Sequence, residues 1–203
     1  MQWYMEPHCI RAFYPPADHT HFPVLSPADG VKVAGFDLDM TLIRTKSGEV
    51  MPISHDDWVW WDAAVPRKLR ALSADGYRVV IFTNQNKILI QGERLENFKC
   101  RMDNMVAELD IPLALYVAPA MNEFRKPGTA MWLLMLADHG ISKDKVGEAF
   151  YVGDAAGRAE DWADSDKVFA LNAELGFHVP EDYFLLPKQN SLWPSLQMHD
   201  HSV

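Results

Sequence analysis

Cysteine is almost missing from this chain. Only Cys9 and Cys100 occur, far apart and in no CxxC pairing. That excludes a disulfide framework and a cysteine-rich zinc site, and it fits a reducing compartment. An excess of positive charge is missing too. The formal net charge is −9, whereas proteins that coat nucleic acid are usually basic, because phosphate neutralisation drives their affinity. Such a chain can still hold one strand end if a few Lys and Arg gather at a single mouth, since steering depends on the local field. Long hydrophobic runs are absent: the longest, around residues 79–82 and 131–137, are far too short to span a bilayer. The start, Met1-Gln2-Trp3-Tyr4-Met5-Glu6-Pro7, has neither the basic nor the apolar region of a signal peptide. A soluble, intracellular protein with no membrane contact is expected.

What is present reads as a globular α/β chain. The 203 residues suit one domain with a core large enough to need no staples. Residues 1–30 are rich in Pro, His and aromatics without a sustained period, which suggests an extension with one edge strand packed on the domain. From Val31 a strand–helix rhythm begins. A strand over 31–36 is followed by a polar, turn-rich loop from Arg44 to about Asp57. A helix over 66–74 has Pro early and Gly76 at its end. The β-branched run 78–82 suits a buried parallel strand. Leu95, Phe98, Met102, Met105, Val106 and Leu109 form a helical stripe over 93–109. Strands over 113–118 and 149–152, a helix over 129–139 and a fifth strand over 168–171 complete the pattern. Alternating strands and helices imply a parallel sheet covered on both faces, with ligands at the carboxyl ends of its strands. The domain is expected over 31–186, with a loosely ordered tail at 187–203.

Four strand ends carry chemistry. The first is Phe36-Asp37-Leu38-Asp39-Met40-Thr41. Side chains alternate along a strand, so Asp37 and Asp39 share a face where it stops. Two carboxylates that close repel unless a cation intervenes, and a hard divalent ion with oxygen ligands, most simply Mg²⁺, suits them. The second strand ends Phe82-Thr83-Asn84-Gln85, bringing a hydroxyl and an amide beside the site. Thr83 there suits a phosphate oxygen or an ordinary helix cap equally well. Arg125-Lys126-Pro127-Gly128 precedes the next helix. A lysine at a helix N-terminus opposes the dipole unless an anion binds both. The last strand ends Tyr151-Val152-Gly153-Asp154, where glycine lets backbone and carboxylate approach an ion closely.

The ordered set DxDxT, Thr, Lys and GD resembles the haloacid-dehalogenase-like phosphohydrolases, from about Val31 to Leu186. The resemblance implies a Rossmann-like parallel sheet with a minimal cap. It implies that Asp37 is a nucleophile forming an aspartyl-phosphate and that Asp39 is the general acid, then base. Thr83, Asn84 and Lys126 would hold the phosphoryl oxygens, and Asp37, Asp154 and the Asp39 carbonyl would hold Mg²⁺. A supporting acid is expected among Asp161, Asp164 and Asp166, with Asp166 favoured. Thr45-Lys46-Ser47-Gly48, Asp57-Trp58, Thr83-Asn84-Gln85, Arg125-Lys126-Pro127 and the run 151–158 resemble more narrowly the polynucleotide 3′-phosphatase family. This is the phosphatase module of polynucleotide kinase/phosphatases of DNA repair.

That narrower resemblance implies a DNA strand end bearing a 3′-phosphate as substrate and a nuclear location; a monomer is expected, since nothing in the sequence suggests an obligate dimer. Thr41, Arg44, Lys46, Arg125 and Arg158, with Lys87, would line an open mouth. The loop over 41–66 is too short for a cap domain. Trp58, Trp60 and Trp61 suit either stacking on a terminal base or core packing under the loop. The HxH pairs His19/His21 and His199/His201 suit exposed termini better than a metal. Met40 stands where the family usually has Gly, and residues 86–90 lack the usual glycines. No GxxxxGK[ST] loop occurs in the sequence, which argues against 5′-kinase activity. A small-metabolite phosphatase and a non-catalytic DNA-end binding module are the competing functions.

Overall fold

A computed structural model describes residues 1–15 and 30–185. The expected C-terminal tail and both HxH pairs lie outside the described residues.

The strands are β1 (Gln2–Met5), β2 (Ile10–Tyr14), β3 (Val31–Phe36), β4 (Ile43–Arg44), β5 (Val59–Trp60), β6 (Arg78–Asn84), β7 (Leu113–Ala118), β8 (Val146–Val152) and β9 (Gly176–His178). The helices are α1 (Ala64–Ala74), α2 (Gly92–Leu109), α3 (Ala130–Asp138), α4 (Ser165–Asn172) and α5 (Pro180–Leu185). The main sheet runs β1-β2-β7-β6-β3-β8-β9. Its five strands from β7 to β9 are parallel, and β1–β2 extend it antiparallel beyond β7. The chain order therefore reverses at β3, with β6 on one side and β8 on the other. Strand ends open a crevice at such a switch point, where ligands of α/β sheets collect.

Alternation along the strands divides the core. Ala34, Phe36, Val79, Ile81, Leu113, Leu115 and Val152 face α1, α2 and α5, while Val33, Val80, Phe82, Tyr116 and Tyr151 face α3 and α4. Covering both faces explains why β7 is fully buried from end to end.

Three expectations need correction. Residues 168–171 are helical, inside α4, and the fifth parallel strand is β9. A four-residue apolar run does not distinguish strand from buried helix. Here Asp166, Phe169 and Ala170 are buried at i, i+3 and i+4, the helical spacing. The N-terminal segment supplies two strands rather than one. The loop expected over 44–57 is flanked by a small antiparallel pair, β4–β5, which pins Ile43 to Trp60.

Candidate active site

The crevice is built at the ends of β3, β6 and β8. β3 ends at Phe36, and the Asp37 amide donates to the Val152 carbonyl at 2.9 Å, tying the first acid to the end of β8. The chain then turns tightly, with the Leu42 amide donating to the Leu38 carbonyl at 2.9 Å. Met40 lies within this turn at φ +60° and is largely exposed. That left-handed conformation suits glycine, which gives the family's usual Gly a backbone reason.

Lys126 is the hub. Its buried Nζ donates to Asp37 Oδ1 at 2.6 Å, Asp166 Oδ1 at 2.7 Å and the Tyr151 hydroxyl at 2.7 Å. The side chain is only 2% exposed. Lys126 does not sit at the helix N-terminus as expected, because α3 begins four residues later, at Ala130. Asn84 positions it instead: the Lys126 amide donates to Asn84 Oδ1 at 2.9 Å, and Asn84 Nδ2 donates to the Lys126 carbonyl at 3.2 Å. The Asn84 amide is thus engaged with backbone rather than facing the crevice free-handed. Burial alone would lower the Lys126 ammonium, but Asp166 and Asp37 more than offset it, and its pKa is raised.

Carboxylate oxygens of Asp37, Asp154 and Asp166 lie within 4.8 Å of one another. One ammonium faces three acids, so negative charge is in surplus. Burial, and then the neighbouring Asp166, push the Asp154 carboxyl up to about 6. Such crowded, hard oxygen donors suit a divalent cation of the Mg²⁺ kind. Asp166 is fixed from two sides, because the Ala155 amide also donates to its Oδ2 at 3.0 Å. A Cβ on Gly153 would stand 2.5 Å from the Asp166 Cγ. Glycine is therefore required there by the approach of α4. Asp161 instead pairs with Arg158 at 2.8 Å, and Asp164 precedes α4.

Asp39 points elsewhere. Its Oδ2 accepts a 2.6 Å hydrogen bond from Gln85 Nε2, which also donates to the Thr83 hydroxyl at 3.1 Å. The Asp39 side chain is therefore not part of the carboxylate trio, and two acids expected to share a strand face diverge at the turn after β3. Thr83 and Thr41 are buried, and the Thr41 hydroxyl donates weakly to Asp154 Oδ1 at 3.4 Å.

The expected basic mouth is dispersed. Arg44, Lys46 and Lys87 are exposed. Arg125 keeps a buried Nη1 without a hydrogen-bond partner. Arg158 is already committed to Asp161, Glu181 and the Asp154 carbonyl. Trp58, Trp60 and Trp61 pack partly buried on the core, with Trp60 Nε1 donating to Glu108 at 2.6 Å. Sequence reasoning gave no role to Tyr151. A hydroxyl in the middle of an apolar, buried strand was its signal, since such a group must find a partner.

Five parallel strands in this order, with buried carboxylates and a lysine at their carboxyl edge, define the haloacid-dehalogenase-like fold. A solved protein of Mesorhizobium loti, described as a HAD-like phosphatase candidate, superposes with a TM-score of 0.62 at 15% identity, covering 85% of this chain and 78% of that one. The chain belongs to the polynucleotide kinase 3 phosphatase family, whose sequence model matches residues 32–184. It is 44% identical over 154 residues to the bifunctional polynucleotide phosphatase/kinase of Schizosaccharomyces pombe, covering 76% of this chain and 38% of that protein. It is 33% identical over 177 residues to the polynucleotide 3′-phosphatase ZDP of Arabidopsis thaliana, covering 77% and 24%. The chain thus spans well under half the length of these two relatives.

Proposed function

We propose that this protein is a Mg²⁺-dependent phosphatase that removes 3′-phosphate from DNA strand ends, and that it acts in the nucleus in strand-break repair. The observation that carries the reading is the 2.6 Å contact between Asp37 and Lys126 at the switch point of the sheet, in a chain of this family. Asp37 would attack phosphorus, and the bond from phosphorus to the 3′ oxygen would break. Asp39 would protonate that leaving oxygen. In the second half, Asp39 would take a proton from water, which attacks phosphorus and releases inorganic phosphate from Asp37. Covalent catalysis splits one hard displacement into two. Acid–base help of this kind contributes about 10²–10⁴-fold.

The geometry supports distinct roles for the neighbours. Lys126 would neutralise charge on the transferring oxygens, and Asp166 and Tyr151 would hold its ammonium in place. Thr83 would contact a phosphoryl oxygen. Asn84, named above as a phosphate contact, would act mainly by positioning the Lys126 backbone. Gln85 would orient Asp39. Asp37, Asp154 and the Asp39 carbonyl would hold Mg²⁺, whose charge would further stabilise the transferring group. Arg44, Lys46, Lys87 and Arg125 remain candidates for strand contacts, and Arg158 would buttress the loop after Asp154.

The test compares a 3′-phosphorylated oligonucleotide with a panel of sugar and nucleotide phosphates. Faster turnover of the oligonucleotide, lost with EDTA and restored by Mg²⁺, is expected. Preference for a metabolite would overturn the DNA reading, and tight binding of oligonucleotide without phosphate release would point to a binding module.

A further inference from the structure

A second buried cation lies outside the carboxylate cluster. Arg101 belongs to the apolar stripe of α2, between Phe98 and Met105, and is 4% exposed. Its Nε has no hydrogen-bond partner, and no ion pair within the described residues reaches it. Its guanidinium lies 5.5 Å from the centroid of the Phe98 ring. Asp39 and Asp57 act on it through space without bonding to it. A guanidinium withdrawn from water and left without an acceptor is an unfilled anion site.

Arg101 lines a cavity of about 510 Å³ between the 51–53 segment and the first turns of α2, with Gln85 and Phe98 also in the wall. Gln85 connects this cavity to the reaction centre, because the same amide nitrogen bonds Asp39 and Thr83. The cavity therefore begins one side chain away from the proposed general acid. The other charged groups in its lining, Glu93 and Arg94, are nearer the surface, and Arg94 is engaged by the Asn86 carbonyl at 3.3 Å.

A nucleic acid end has a second anion at a fixed remove from the first. A strand ending in a 3′-phosphate carries a phosphodiester on the other side of the same nucleoside. We infer that the cavity beside α2 receives the terminal nucleoside and that Arg101 binds the phosphodiester on its 5′ side. The inference rests on the phosphatase reading above and adds how that site tells a strand end from a mononucleotide. A guanidinium suits the task because its planar fork matches two phosphate oxygens. In a chain of net charge −9, a few placed cations of this kind must do what a basic surface does elsewhere.

The test uses the unaltered protein with two trithymidylates ending in 3′-phosphate. One has natural linkages, and the other has a methylphosphonate at the last linkage, close in shape but uncharged. The neutral linkage should lower kcat/KM by about tenfold or more, as loss of a charge-assisted contact implies. In Arg101→Gln the two substrates should differ by no more than about twofold, because the group that reads the charge is gone. Equal turnover of the two by the unaltered protein would overturn the Arg101 site while leaving the phosphatase reading intact. An undiminished preference in Arg101→Gln would overturn it as well. Hydrolysis of neither substrate would overturn the phosphatase reading, and the Arg101 site with it.

Discussion

Two cations are buried among the described residues, and their surroundings are opposites. Lys126 has three acceptors within 2.7 Å, two of them carboxylates. Arg101 is nearly as inaccessible and has no hydrogen-bonding partner at its Nε. An unmet buried donor costs about 1–3 kcal/mol, so the two sites differ in what they contribute to folding. The first has its ammonium fully hydrogen-bonded and holds surplus acid around it. The second is tolerated at a cost, which is the pattern of a site built for a ligand rather than for stability.

Stability should separate the two most sharply. Lys126→Met leaves Asp37 and Asp166 facing each other without their shared ammonium. Breaking a buried pair costs about 3–5 kcal/mol, so denaturant unfolding should show a loss of that order. Arg101→Met removes an unpaired charge and keeps the apolar stem, so it should be neutral or stabilising, within about 1 kcal/mol. Similar losses in both variants would break the contrast.

The surplus acid gives a smaller, pH-dependent effect. The Asp154 carboxyl has its pKa raised from 3.8 to about 6, so the folded protein binds its proton more tightly than the unfolded chain does. Its contribution to stability is fully present below pH 3.8 and is lost as pH rises through about 6. Without divalent metal, the Asp154 contribution should therefore lower Tm across that interval, and Asp154→Asn should flatten the fall. Added Mg²⁺ should raise Tm at pH 7.5 and have little effect at pH 4.5. A pH response identical in Asp154→Asn would refute this assignment.

The smallest effect concerns the turn between the two acids. Met40→Gly relieves a left-handed backbone but frees the unfolded chain, and these terms oppose each other at about 1 kcal/mol each. Tm should shift by only a few degrees, about 2–4 °C at most. A large loss would mean that the Met40 side chain, though exposed, holds the turn.

Much of the fold is legible in the sequence. Periodicity places the helical stripe of α2, because a long, regular pattern identifies itself. Residues 168–171 are ambiguous because a short apolar run carries no period, and the helix shows only in the inward Asp166 at the spacing of Phe169 and Ala170. The convergence of Asp37, Lys126 and Asp154 followed from strand-end logic, since strands of a parallel sheet deliver their ends to one edge. Divergence of Asp39 was not legible, because it depends on how the turn after Phe36 folds and on Gln85 reaching across from β6. Asn84 has the chemistry of a phosphate contact, whereas its partner is a backbone unit 42 positions away. Arg101 did leave a trace: a charge on the buried face of an amphipathic helix is an anomaly that periodicity alone exposes.

Every role proposed for the site rests on Asp37 accepting the phosphoryl group. Its direct test is rapid acid quenching of the protein with an oligonucleotide carrying a labelled 3′-phosphate, followed by peptide mapping. The label should appear on the peptide containing Asp37 and be absent from Asp37→Asn, which should also lose turnover by about 10⁴-fold or more. Release of labelled phosphate at the normal rate from Asp37→Asn would contradict the account.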